Sequence, residues 1–148
     1  MLTPRTEHLI DFALEEDAGL GDITSRAIFP PRHRSRAVID AKQELVLCGL
    51  EVAARVFEKT DVTLKVRLMA KDGDRVKKGA MVLRVEGSTG SILTAERTAL
   101  NFLQRLSGIA TQAARYAAAV QGTGVRVVDT RKTTPGWRAL EKYAVRTG

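Results

Sequence analysis

Two hydrophobic periods divide the chain. Leu9, Ile10, Ala13 and Leu14 recur at helical spacing behind Thr3-Pro4, an N-cap followed by a proline at the first helical position, and predict a helix to about Asp17. Ala18-Gly19-Leu20-Gly21-Asp22-Ile23-Thr24 then reads as a loop, because its alternating glycines lack the third glycine and the preceding strand of a dinucleotide-binding turn. Residues 36–42 are strand-like, and Val52, Ala53, Val56 and Phe57 share one side of a short helix over residues 49–59. Over residues 62–68 the period changes to two. Val62, Leu64, Val66 and Leu68 alternate with Thr63, Lys65 and Arg67, the pattern of a strand with one face in water. Asp72-Gly73-Asp74 turns the chain, and residues 80–85 make another strand.

The longest predicted helix covers residues 94–121. Ala99, Leu103, Leu106, Ala110, Ala113, Ala117 and Val120 step by three and four and form its buried stripe. Glu96 falls near the positive end of the helix dipole, Gly122 offers a C-cap, and Ser107-Gly108 is a candidate kink. Beyond it, residues 125–130 read as a strand, Thr133-Thr134-Pro135-Gly136 as a turn and residues 137–145 as a helix, the opening of an alternating strand-and-helix architecture. One such unit cannot bury a parallel strand, which needs neighbours and helical cover, so the chain is expected to end within a domain. No internal repeat or low-complexity linker marks a boundary; the division is expected within or just after the long helix, at residues 1–115 and 116–148.

With 44% hydrophobic and 28% charged residues, the composition is that of a chain able to fold around a core. The 24 Lys and Arg against 17 Asp and Glu leave a formal charge of +7, which attracts anionic partners. Nucleic acid is not expected: the cations are dispersed among acids except in Arg32-His33-Arg34-Ser35-Arg36, and aromatics at 5% provide no stacking platform. A single cysteine excludes an intrachain disulfide framework and favours a reducing, cytoplasmic setting. That residue, Cys48, lies in Leu45-Val46-Leu47-Cys48-Gly49-Leu50 and reads as a buried hydrophobe rather than a nucleophile. No stretch approaches the ~20 apolar residues needed to cross a bilayer, so neither a membrane nor export is expected.

Arg131 and Lys132 directly follow the predicted strand at 125–130, the place where side chains of α/β barrels converge on the barrel mouth. Two adjacent cations there suggest an anion site; position alone equally fits solvated loop charges. Arg97, in the first turn of the helix predicted from Thr94, shares a face with Asn101, Gln104, Arg105, Gly108, Thr111 and Arg115. Such a stripe either faces water or, with the amides of a helix N-terminus, seats a carboxylate or phosphate.

Taken in order, Glu16-Asp17 with Gly21-Asp22-Ile23-Thr24, Asp72-Gly73-Asp74, the run from Leu93-Thr94-Ala95-Glu96-Arg97 to Leu103, Leu106-Ser107-Gly108-Ile109-Ala110-Thr111, Asp129-Thr130-Arg131-Lys132-Thr133-Thr134-Pro135-Gly136-Trp137-Arg138 and Lys142-Tyr143-Ala144-Val145 resemble successive signatures of the quinolinate phosphoribosyltransferases. The resemblance spans nearly the whole chain. It implies an α+β fold: an N-terminal open-faced β-sheet sandwich with helices and one long connecting helix, followed by the first strand-helix unit of a truncated α/β barrel. It further implies transfer of phosphoribosyl from phosphoribosyl pyrophosphate to quinolinate with loss of CO2, giving nicotinate mononucleotide for NAD biosynthesis. Arg97, Arg131, Lys132 and Arg138 match substrate-binding positions of that family, Lys132 carrying the chemistry as well, and Arg97 matches an arginine supplied across a head-to-tail homodimer. The resemblance also implies Mg2+ in the complete enzyme, with its ligands expected in barrel strands absent here; the 148-residue chain is expected to be inactive alone.

Three other readings remain open at this stage. The molybdenum-associated paralogue of the family shares the Thr-Arg-Lys-Thr and Pro-Gly elements. Residues 72–86 resemble the hairpin of a lipoyl or biotinyl carrier, although the turn Glu86-Gly87-Ser88-Thr89-Gly90-Ser91 lacks the lysine such a module modifies. A non-catalytic module could also dimerise through the alanine-rich stripe of the long helix.

Overall fold

The computed structural model describes residues 2–19 and 23–148. The predicted loop at Gly21-Asp22 therefore lies largely outside the described residues. Helix α1 (Pro4–Ala18) starts as its sequence dictates: the Thr3 hydroxyl oxygen accepts from the Thr6 amide at 3.2 Å, and Pro4 occupies the first turn, where it needs no donor. Helix α2 (Ile23–Ile28) leads to β1 (Arg34–Asp40), and the two-residue β2 (Leu45–Val46) precedes α3 (Leu50–Thr60). Strands β3 (Lys65–Leu68), β4 (Arg75–Val76) and β5 (Met81–Ser88) follow, then α4 (Thr89–Ala119) and α5 (Arg138–Thr147). The antiparallel order β1-β5-β3 makes one open sheet, and β2 pairs with β4 in a second, smaller one.

One face of the larger sheet is buried by α3 and α4. Leu83 and Val85 of β5 point into a cluster with Val52, Val56 and Phe57 of α3 and Ile92, Ala99, Phe102 and Leu106 of α4. Phe57, Phe102 and Leu106 are fully buried, each removal from water contributing about 1.5–3 kcal/mol. Gly49, just ahead of α3, has a left-handed φ of 99°, and a Cβ there would stand 2.8 Å from Leu106 Cδ1. Only glycine serves both the turn and the close approach of α4.

Several predicted elements change at their ends. The strand predicted at 62–68 begins only at Lys65, and Val62 is 89% exposed. Asp61 explains this: its carboxylate accepts from the Thr63 amide at 2.8 Å and the Thr63 hydroxyl at 2.7 Å, a local turn that competes with the ladder. Helix α4 starts five residues before Thr94, at Thr89, with the Ser88 hydroxyl as its cap and the Thr89 hydroxyl bonded to His33 and Ser35. It also passes through Ser107-Gly108 without a break. The Ser107 hydroxyl accepts from the Cys48 amide at 3.0 Å and donates to the Cys48 carbonyl at 3.1 Å, so the polar residue docks a neighbouring backbone rather than interrupting the helix. Cys48 is buried as its apolar context requires, and burial pushes its thiol up to about 12.

The strand predicted at 125–130 does not form. Val125 and Val128 are 61% and 73% exposed, and no strand lies alongside to complete a ladder among the described residues. A parallel strand has no hydrogen-bonded existence without neighbours. Helix α5 forms where expected because it has a surface to bury against: Leu140 and Ala144 pack on α4 in the common core.

Asp72 ties α5 to the rest. Its carboxylate accepts from the Gly49 and Leu50 amides at 2.9 and 3.0 Å, capping α3 from a turn, and from the Tyr143 hydroxyl of α5 at 2.9 Å. Burial first, and that bond second, raise the Tyr143 phenol to about 12. Replacing Asp72 by Ala strands three donors, and an unfolding titration should record a loss of about 2 kcal/mol, with Asp72→Asn, which keeps one acceptor, falling between.

Helix α1 is pinned to α3 by charge. Glu7 accepts from Arg55 Nε at 3.0 Å and from Lys59 Nζ at 3.1 Å, and Lys59 also reaches Asp11 at 2.6 Å. The Arg55 bond is the main cause holding the Glu7 carboxyl below its ordinary 4.5, with Lys59 adding to it against the opposing effect of burial. A carboxyl lowered in the folded state stabilises the fold above its unfolded value, and that stabilisation is lost as pH falls through the lowered one. The melting-temperature advantage of the native chain over Glu7→Gln is therefore expected to be full at pH 7 and to shrink as the pH drops below 4.5.

Candidate functional site

The segment between α4 and α5 has no ladder to hold it, yet its second half is anchored at successive points. Thr130 Oγ1 accepts from the Lys132 amide at 3.0 Å, and the Trp137 amide donates to the Thr134 carbonyl at 3.0 Å across the Pro135-Gly136 turn, where Gly136 takes a φ of 82°. Trp137 stacks on Phe102 of α4, ring centroids 4.8 Å apart, and the Arg105 guanidinium lies over the Trp137 ring, 5.3 Å from its centre. Lys142 forms an ion pair with Asp129 at the upstream end of the turn region.

Within this frame the predicted residues separate into two places. Arg131, Lys132 and Arg138 come together: Arg138 donates from Nε to Thr133 Oγ1 at 3.2 Å and from Nη2 to the Arg131 carbonyl at 3.4 Å. The Arg131 and Lys132 side chains are exposed and meet no acidic partner among the described residues. Both nearby acids are already engaged, Asp129 by Lys142 and Glu141 by Arg105. The local balance is thus two available cations on a loop, a plain electrostatic seat for an anion.

Arg97 stands elsewhere. Because α4 begins at Thr89, Arg97 is eight residues, about 12 Å, from the helix start, so the expected partnership with N-terminal amides does not arise. The same shift removes Glu96 from the first turn. The Arg97 side chain is 74% exposed and pairs with Asp17 of α1 at 2.8 Å. No bond joins it to Arg131, Lys132 or Arg138 in the described residues of this chain.

Two residues of this region were not singled out as site residues in the sequence. Arg105 reads as one member of a solvent-facing stripe, and Glu141 as an ordinary first-turn acid; their spacing of 36 residues gives no local signal, and only the packing of α5 on α4 joins them. A cavity of about 660 Å³ forms a mainly apolar groove between β1 and α4, lined by Ala37, Ile39, Leu47, Ile92 and Leu103 among others, and it contains none of the four predicted residues. Among the described residues no group of three or more His, Cys, Asp or Glu side chains could hold a metal ion, and no helix is long and apolar enough to cross a membrane.

The family model for the quinolinate phosphoribosyl transferase N-terminal domain matches residues 22–107, and that for the C-terminal domain matches residues 109–148. A probable nicotinate-nucleotide pyrophosphorylase (carboxylating) of Synechocystis is 44% identical over 135 residues, covering 91% of this chain and 45% of the relative. Quinolinate phosphoribosyltransferase (decarboxylating) 1 of Nicotiana glauca is 42% identical over 141 residues, covering 95% of this chain and 40% of the relative. The crystal structure of NadC from Streptococcus pyogenes superposes on all of this chain and 53% of its own, with a TM-score of 0.95 at 44% identity. This chain spans about half the length of the relatives it matches. An open α+β sheet, a long shared helix and a cationic Thr-Arg-Lys-Thr loop, matched from residue 22 to residue 148, place the chain in the quinolinate phosphoribosyltransferase family.

Proposed function

We propose that the chain is the N-terminal portion of a decarboxylating quinolinate phosphoribosyltransferase, forming nicotinate mononucleotide, pyrophosphate and CO2 from quinolinate and phosphoribosyl pyrophosphate in NAD biosynthesis. The observation that carries this reading is the pair Arg131 and Lys132, exposed on a loop whose neighbouring acids are both engaged by other cations. Quinolinate is a dicarboxylate, and forked guanidinium donors with an ammonium beside them suit its two charges. Arg138 gives two of its N–H groups to the loop and retains others for a ligand.

In the proposed reaction the ring nitrogen attacks the anomeric carbon of the ribose as pyrophosphate leaves with the electrons of the C–O bond. When the C–CO2 bond then breaks, its electron pair stays on the ring carbon, where the adjacent quaternised nitrogen stabilises it, and a proton takes the place of CO2 on that carbon. Lys132 is assigned to stabilise the negative charge that develops on that carbon. Arg97, paired with Asp17 of α1 in its own chain, is assigned to the site of a second copy in a homodimer. We divide the chain into an N-terminal unit at 1–115 and the beginning of a barrel at 116–148. The Mg2+ expected for the complete enzyme finds no ligand set in the described residues here, whose site side chains are cations. A cytoplasmic setting belongs to the same proposal.

Calorimetric titration of the chain with quinolinate tests the residue assignment. Binding is expected to weaken about 100-fold or more in an Arg97→Ala, Arg131→Ala double variant, since each lost charged hydrogen bond costs about 1.5–3 kcal/mol. Equal binding by the variant would overturn the assignment. With phosphoribosyl pyrophosphate and Mg2+ added, the chain alone should release no labelled CO2 from quinolinate; release would show that the barrel is dispensable.

A further inference from the structure

Helix α5 grips the cationic loop with one face. Arg138, Glu141 and Lys142 stand at positions i, i+3 and i+4, and each holds a different point of the segment before it: Arg138 holds Thr133 and the Arg131 carbonyl, Glu141 the Thr134 amide at 3.2 Å, and Lys142 Asp129. Of the three, Glu141 is the one whose grip reaches the rest of the protein. Its side chain is 12% exposed, and its carboxylate also accepts from Arg105 Nε at 3.2 Å and from Arg105 Nη2. Arg105 Nη2 donates in addition to Thr134 Oγ1, so the three residues close a ring of charge-assisted bonds between α4, α5 and the loop.

We propose that Arg105 and Glu141 are positioning residues, a clasp that sets the 130–136 loop and thereby the placement of Arg131 and Lys132; its functional half rests on reading that loop as a dicarboxylate site. Two physical arguments support the assignment. The loop has no ladder of its own, so side-chain bonds from α4 and α5 must supply the restraint that sheet neighbours would otherwise give. A bare carboxylate this close to the loop would repel an incoming dianion, whereas one engaged by a guanidinium does not. Arg105 and the Thr134 bonds hold the Glu141 carboxyl below its ordinary value even though burial, the largest single influence, acts to raise it. The clasp is separate from what docks α5: Leu140, Ala144 and the Tyr143–Asp72 bond seat the helix without it.

That separation makes the role measurable apart from folding. In Glu141→Gln and in Arg105→Lys, hydrogen exchange at the Thr134 amide should accelerate about tenfold or more. The double variant should be no faster than either single one, because both break the same ring. Thermal unfolding should shift little, and quinolinate affinity should fall about tenfold or more. Unchanged Thr134 exchange in a folded variant would overturn the clasp, and faster exchange with undiminished quinolinate affinity would overturn its positioning role. A native chain without quinolinate affinity would overturn the dicarboxylate reading and the positioning role with it, while exchange would still decide the clasp. Should Glu141→Gln fail to fold, Arg105→Lys carries the same comparison.

Discussion

One helix has to be covered along its whole apolar length, and most of the architecture follows from how that is done. α4 is 31 residues long, about 46 Å, and its buried apolar residues extend from Ile92 to Ala114. A stripe of that length exceeds what the small sheet can cover, so its first part is buried by β5 and α3 and its later part by α5. Where cover ends, burial ends: Ala117, one step further along the same stripe, is exposed. The helix thus forms a single wall shared by the open sheet and by the short helix that carries the site loop.

This shared wall explains the electrostatics of the loop. With α5 fixed against α4 by Leu140 and Ala144, Glu141 is brought under Arg105, and the turn before it is drawn onto Phe102 through Trp137. Acids near the loop are neutralised by cations from the two helices, and the loop's own cations are left outward. Asp72 performs a matching task on the other side, satisfying the start of α3 and the Tyr143 hydroxyl together. A +7 chain carries anion-seeking charge in many places; packing selects where that charge is unopposed.

Local rules were legible wherever an element could satisfy itself. The Thr3-Pro4 start of α1, the apolar face of α3, the stripe of α4 up to Ala113 and the amphipathic α5 all follow from periodicity and capping. The errors share one cause, that an element's ends or existence depended on something distant. Val62 left its strand because Asp61 made a better local bond, α4 began early because Ser88 and Thr89 found cap and hydroxyl partners, and residues 125–130 lacked the neighbours that define a strand. The early start of α4 also moved Arg97 out of the first turn and so removed the helix-terminus argument for it.

By itself the sequence determined the order of elements, the buried role of Cys48, the cationic loop with Arg131, Lys132 and Arg138, and, through motifs in fixed order, the family. Side-chain periodicity and turn chemistry act over a few residues and are written in the chain directly. Only the tertiary structure decided that Arg105 and Glu141, 36 residues apart, close on Thr134, that Asp72 joins α3 to α5, and that Arg97 pairs with Asp17 of α1. Those pairings depend on which helix faces meet, and that is set by burial of the whole α4 stripe rather than by any segment on its own.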